Sequence, residues 1–283
     1  MPGNPEHYHA TVLADSINPT DDRVTTLQIR MPLCVWPEFL THRTLARNAR
    51  SNRAVPSRIL ISEVIRNPFI PEHWGRNRSG MQSTEPLTGI RRAIAREAWL
   101  GARWGAVAAA WVMSKAGLHK QDANRVLAPW QWVDAVVTGD PTAWSAFLRL
   151  RDHPAADPKI QRIAVYIAKA IAESTPQKLG WNQWHKPYYT DKPQYVASDE
   201  GDRIDMCMAS AGACARVSYA AFDGQQNDRA NEDLAKKLAK ETPSHGSPFE
   251  HVVRASMDGD GYRRAGRQCL RGNWETLRAI KRL

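Results

Sequence analysis

Five arginines, Arg43, Arg47, Arg50, Arg53 and Arg58, crowd into sixteen residues of this chain. Most lie in the run Thr41-His42-Arg43-Thr44-Leu45-Ala46-Arg47-Asn48-Ala49-Arg50-Ser51-Asn52-Arg53. A guanidinium is a planar fork that can pair two oxygens at once, so arginines at this density suit phosphate binding better than lysines would. Taken alone, such a run reads more simply as a solvated basic face. Two more arginines stand in short runs of their own: Arg125 in Asn124-Arg125-Val126-Leu127-Ala128-Pro129, and Arg151 in Trp144-Ser145-Ala146-Phe147-Leu148-Arg149-Leu150-Arg151. Late in the chain stand Ala215-Arg216-Val217-Ser218-Tyr219 and Ser247-Pro248-Phe249-Glu250-His251.

These residues need elements to hold them. Residues 24–31 alternate like a strand, and Pro37 then opens a helix through Glu38, Phe39, Leu40 and His42, so a strand-to-helix entry precedes the arginines. Residues 57–66 read as a short amphipathic helix ended by Asn67-Pro68, and 71–89 as a loop. A long Ala-rich helix is expected over 90–116, with Thr88 as cap and Gly117 as stop. It is apolar nearly all round from Trp104 to Met113, which predicts burial of that part. Residues 133–137 are a strand candidate, and Asp140-Pro141 and Asp157-Pro158 are cap-plus-proline helix starts. The stretch 174–202 is a long connection, aromatic enough to dock on the body; His185, Tyr188 and Tyr189 with Trp181 and Trp184 read as a lid or as pins for a crossing loop. Helices over 204–219 and 227–240, a strand over 251–257 and a basic terminal helix complete the pattern, while His7 and His9 fall in a terminus expected to be mobile. Mixed content of this kind points to an α+β fold, a central sheet with packed helices.

Composition narrows the classes. A chain of 283 residues with 42% hydrophobic content can bury an ordinary core, and the net charge of +10 favours anionic partners. Four cysteines without a Cys-x-x-Cys pair argue against a disulfide scaffold or zinc module, which makes a reducing cytoplasm the natural setting, and no metal site is expected. The start of the chain does not read as a signal peptide, and residues 105–113 are too short to span a bilayer.

The runs quoted above resemble the flavin-dependent thymidylate synthases. His42, Arg43, Asn48, Ser51 and Arg53 match that family's His-Arg signature in register, and the Ser-Pro-Phe-Glu-His run matches at five contiguous positions. In the family this second element comes first, so the resemblance implies a circularly permuted, phage-type member. One catalytic domain would fill 1–283: residues 24–173 resemble the family's second half, 174–203 form the connection, 204–256 resemble its first half and 257–283 are a tail. The resemblance implies flavin contacts for His42, Arg43, Asn48 and Ser247. It implies nucleotide contacts for Ser51, Arg53 and Arg125, while Glu250 and His251 would organise the loop. The signature's Glu is Ala49 here, so a missing nucleotide contact would come from Arg50, Asn52 or Glu38. Thr41, Ala46 and Ala54 are further departures.

Arg151 takes the place of an arginine that touches the uracil edge and favours ionisation of N3, which makes C5 more nucleophilic. A guanidinium beside the departing proton stabilises the anion left behind. The bland alternative is a cation capping its own helix C-terminus. Conventional thymidylate synthases use a cysteine nucleophile, and none of the four cysteines stands in such a context. The implied activity is transfer of a one-carbon unit from methylenetetrahydrofolate to C5 of a pyrimidine deoxynucleotide monophosphate, dUMP in the parent reaction. FAD and NADPH would be the cofactors and the assembly a homotetramer, with nucleic acid and membrane not expected as partners. Alternatives are methylation or hydroxymethylation of another pyrimidine nucleotide, and a non-catalytic nucleic-acid-binding protein resting on the +10 charge.

Overall fold

A five-stranded sheet forms the spine of the protein in a computed structural model that describes residues 7–80, 82–83, 85–198, 201–218, 227–257 and 270–283. Strands β1 (His9–Ile17) and β2 (Arg23–Pro32) pair antiparallel, and α1 (Trp36–Leu40) leads to β3 (Ala46–Ala49). Helices α2 (Ser57–Arg66), α3 (Gly89–Lys115) and α4 (Lys120–Ala123) precede β4 (Trp132–Gly139), which lies between β3 and β2. Helices α5 (Pro141–Arg151) and α6 (Pro158–Glu173) follow, and β5 (Gln177–Lys178) adds a parallel edge to β1. The rest comprises β6 (Trp184–His185), β7 (Tyr195–Ala197), β8 (Arg203–Asp205), α7 (Met206–Arg216), α8 (Asp228–Lys240), β9 (Val253–Ala255), β10 (Trp274–Thr276) and α9 (Leu277–Lys281). β10, β9 and β6 form a second small sheet.

The alternation of side chains gives the main sheet two different faces. Leu27, Ile29 and Met31 of β2 with Val133, Ala135 and Val137 of β4 pack against Phe147 of α5 and Ile160, Ile163 and Ile167 of α6. The opposite face presents Val136 to Cys214 and Val217 at the end of α7. Gly212 lets α7 approach α8, since a Cβ there would fall 1.9 Å from the Asn231 carbonyl oxygen. The two proline starts form as expected: the Asp140 carboxylate accepts from the Ala143 N–H and that of Asp157 from the Lys159 N–H.

Several expectations need correction. His9 opens β1, a strand whose register shift between Val12 and Ala14 breaks the alternation that would have marked it. Ala46–Ala49 is a strand within the arginine run, held by β4. Thr88 stands at the start of α3 without a side-chain capping bond, whereas Gly117 ends it at a φ of +87°. The middle of α3 is not buried: Trp104 and Trp111 remain about half exposed, because α2 and the turn before β4 cover only one side, through Val107 and Ala110. At 100° per residue Ile90, Ile94, Trp104, Trp111 and Val112 share one uncovered stripe. No helix among the described residues is long and apolar enough to cross a membrane.

Candidate active site

The end of α5 delivers Arg151 to the turn that follows α1. Its Nε donates to His42 Nε2 at 2.9 Å, and its terminal nitrogens reach Glu38 Oε2 at 3.1 Å, the Glu38 carbonyl at 3.5 Å and Thr41 Oγ1 at 3.3 Å. The guanidinium therefore closes the end of α1, not its own helix. His42 is buried with its ring edge-on to Phe147 at 4.9 Å. Burial first, then the positive Arg151 and Arg47, hold His42 down to about pKa 4. A neutral imidazole accepting at Nε2 must carry its proton on Nδ1. Arg47 donates to the carbonyls of Leu40, His42 and Leu45, which ties the same turn to β3.

Asn48 in β3 is the meeting point of runs some 170 to 200 positions apart. Its amide nitrogen donates to the Cys214 carbonyl at 2.9 Å, and its amide oxygen accepts from Ser218 Oγ at 3.3 Å and Ser247 Oγ at 3.4 Å. The Ser51 N–H donates to the Ser218 carbonyl in the same seam. The early arginine run and the late Ala-Arg-Val-Ser and Ser-Pro-Phe-Glu-His runs thus adjoin in space; Tyr219 and Cys269 lie outside the described residues.

The loop after β3 carries the other named residues. Asn124 Nδ2 donates to the carbonyls of Asn52 and Val55, fastening the run that bears Arg125 to the loop that bears Arg53. Asn52 donates to Gln131 Oε1 at 2.7 Å. Arg50 forms a two-bonded pair with Glu63, both bonds at 2.8 Å, and its side chain is nearly buried. Arg43, Arg53 and Arg125 are exposed, Arg125 with its Nε on the Gln121 carbonyl. Glu38 is half-buried beside Arg151.

A chain of buried polar contacts behind the sheet was not foreseen in the sequence. His185 meets Ser16 Oγ at 2.9 Å through Nδ1 and Thr26 Oγ1 at 2.8 Å through Nε2. Thr26 meets Thr138 at 2.6 Å, and Thr138 meets His251 Nδ1 at 2.8 Å. The last histidine of the Ser-Pro-Phe-Glu-His run is thereby fixed to the sheet. Of the two readings of the aromatic connection, pinning describes what is seen: the Tyr188 hydroxyl donates to Gln28, and Asn231 donates to the Tyr189 hydroxyl at 2.7 Å. Burial pushes the thiols of Cys34, Cys207 and Cys214 up, Cys34 to about 11, so none of the three is primed as a thiolate. No metal-binding cluster occurs among the described residues.

The family model for Thy1, thymidylate synthase complementing protein, matches residues 16–177. Two solved structures are similar, both of a UMP/dUMP methylase PolB from Streptomyces cacaoi. The one bound with 5-Br dUMP is 19% identical, with 53% of this chain and 66% of that chain covered at a TM-score of 0.43. The one bound with 5-Br UMP is 16% identical, with 59% and 89% covered at a TM-score of 0.48. No curated protein matches the chain.

Proposed function

The chain belongs to the Thy1 family of flavin-dependent thymidylate synthases, and from that premise we propose that it transfers a one-carbon unit from methylenetetrahydrofolate to C5 of dUMP. The observation that carries the reading is the seam at Asn48, which unites the two motif blocks despite their reversed order and so supports a circularly permuted connectivity. Residues 174–203 are the proposed join.

The donor set suits the implied cofactor: arginine forks at exposed positions match a dinucleotide's pyrophosphate and a nucleotide's phosphate. His42, Arg43, Asn48 and Ser247 are assigned to FAD. Ser51, Arg53 and Arg125 are assigned to the nucleotide, with Glu38 and Asn52 as auxiliary contacts. Arg50 is already paired with Glu63 and is proposed as support for this loop. When bound, the flavin supplies the hydride that completes the methyl group, and NADPH restores it. The chain's own contribution is placement and charge. Arg151 stabilises the ring anion formed when N3 loses its proton, and neutral His42 holds that guanidinium without competing for the negative charge.

Ala49, in place of the family's Glu, leaves the base less tightly specified, so another pyrimidine nucleotide, or a hydroxymethyl product, is the alternative within the same chemistry. Nucleic-acid binding draws on the +10 charge, but Arg47 and Arg50 of the cluster are engaged internally. Purified protein, loaded with FAD, should turn yellow. With NADPH, methylenetetrahydrofolate and each pyrimidine monophosphate in turn, mass spectrometry should find a C5-modified product. Absence of every such product, with tight DNA binding at physiological salt, would favour the nucleic-acid reading. Arg43→Ala should weaken FAD binding by about 1.5–3 kcal/mol, roughly ten- to a hundredfold in Kd, read by flavin fluorescence titration.

The assembly is proposed as a homotetramer, supported by the uncovered stripe of α3. Sedimentation equilibrium should give a four-chain mass. Trp104→Glu with Trp111→Glu should lower it, and an unchanged mass would move the interface elsewhere.

A further inference from the structure

Away from the Arg151 corner, the connection between the two blocks lines an open cleft of about 430 Å³ between β5, β6 and the turn leading to β7. Lys186 lines it and is itself only 7% exposed. Among the described residues its amine has no hydrogen-bond acceptor and no carboxylate within ion-pair distance. The second lysine of the cleft differs: Lys192 is paired with Asp228 and rests over the Tyr189 ring. Burying a cation costs free energy, and at Lys186 desolvation outweighs the longer-range attraction of Asp191, which pulls the amine below its ordinary value. Such a cost is sustained where a ligand supplies the missing charge.

The wall offers more than one cation. Gln183 uses its amide oxygen on the Gly180 N–H at 2.8 Å, which leaves its amide nitrogen as a donor. Asn182, held at a φ of +65°, adds a second amide, and Trp184 gives an apolar side. Asp191 stands exposed at the rim, where it opposes a doubly charged anion more than a singly charged one.

We propose that this cleft is a second ligand site, which takes the oxyanion of a small molecule on Lys186 and the neighbouring side-chain amides, with a carboxylate preferred over a phosphate. It is separate from the flavin and nucleotide contacts assigned above, so it stands or falls independently of them.

Calorimetric titration of the full chain with propionate, a singly charged carboxylate, and with inorganic phosphate tests this. One equivalent of propionate should bind, and Lys186→Met should weaken it at least tenfold without lowering the melting temperature, because the buried charge has gone. Tighter binding of phosphate than of propionate would overturn the preference for a carboxylate. Should Lys186→Met fail to fold, Lys186→Gln serves the same comparison. The proposal is overturned if neither anion binds, or if both bind the lysine variant as tightly as the parent.

Discussion

Arg151→Lys should lower kcat by about 10²–10³-fold while FAD remains bound, the size of loss seen when one preorganised charge donor is removed from a developing anion. Lysine keeps the charge, but its single ammonium cannot replace a fork that simultaneously holds His42, Glu38 and Thr41. Alanine is the harsher change, since it would leave the Glu38 carboxylate and His42 Nε2 without their donor as well. A companion variant separates chemistry from scaffolding. Glu38→Gln weakens the ion pair but keeps the shape of the corner. If Arg151 acts on the substrate, Glu38→Gln should retain turnover and alter KM, whereas Arg151→Lys should lose turnover. If Arg151 only ties α1 to α5, both variants should lower the melting temperature and neither should change kcat by more than a few-fold. Kinetics, flavin absorbance and thermal melts on the three proteins decide the matter.

What could be read in the sequence was local. Asp140-Pro141 and Asp157-Pro158 announced helices because a cap and a preset φ act on adjacent residues, and both caps form. β1 escaped because its alternation is broken between Val12 and Ala14, and β3 because Ala46–Ala49 has little strand propensity and is held by pairing with β4. The exposure of α3 departs from its composition for a different reason. An apolar helix surface predicts that something covers it, and composition does not say whether the cover is the same chain or another. The named residues of the site were legible as motifs, yet their union at Asn48 is a property of tertiary contacts between positions 48, 214, 218 and 247. His185 is legible only as a member of the aromatic connection, and nothing local marks its buried contacts, since its partners Ser16 and Thr26 are supplied by two strands far away in sequence.

That buried chain should make the protein sharply sensitive to acid. Ser16, His185, Thr26, Thr138 and His251 can be satisfied in one direction if every ring is neutral. His251 Nδ1–H then donates to Thr138, Thr138 to Thr26, Thr26 to His185 Nε2, and His185 Nδ1–H to Ser16, leaving His251 Nε2 as a bare acceptor. No partner reaches that Nε2 among the described residues, so adding a proton there would strand a buried N–H. Burial accordingly holds His185 and His251 down to about 3, with Asp15 opposing this at His185 and Lys186 reinforcing it. In the unfolded chain both titrate near 6.5. Between those values the unfolded state binds more protons, so stability is fully present above 6.5 and is lost as the pH falls toward 3. Each histidine contributes a slope of about 1.4 kcal/mol per pH unit, and two together about 3, so roughly two pH units remove about 6 kcal/mol, the lower end of an ordinary domain's stability. His42, held at about 4, adds to the same loss over the upper part of the range. Asp15, whose carboxylate is held down by Arg23, Ser174 and Thr25 against its burial, keeps its full stabilising effect above 3.8 and loses it only below that, at the foot of the interval. Circular dichroism against urea at successive pH values should therefore show stability falling steeply below pH 6. Replacing both His185 and His251 by glutamine should cost stability at pH 7 and flatten that fall. A double variant with the parent's slope would mean that other groups carry the acid response.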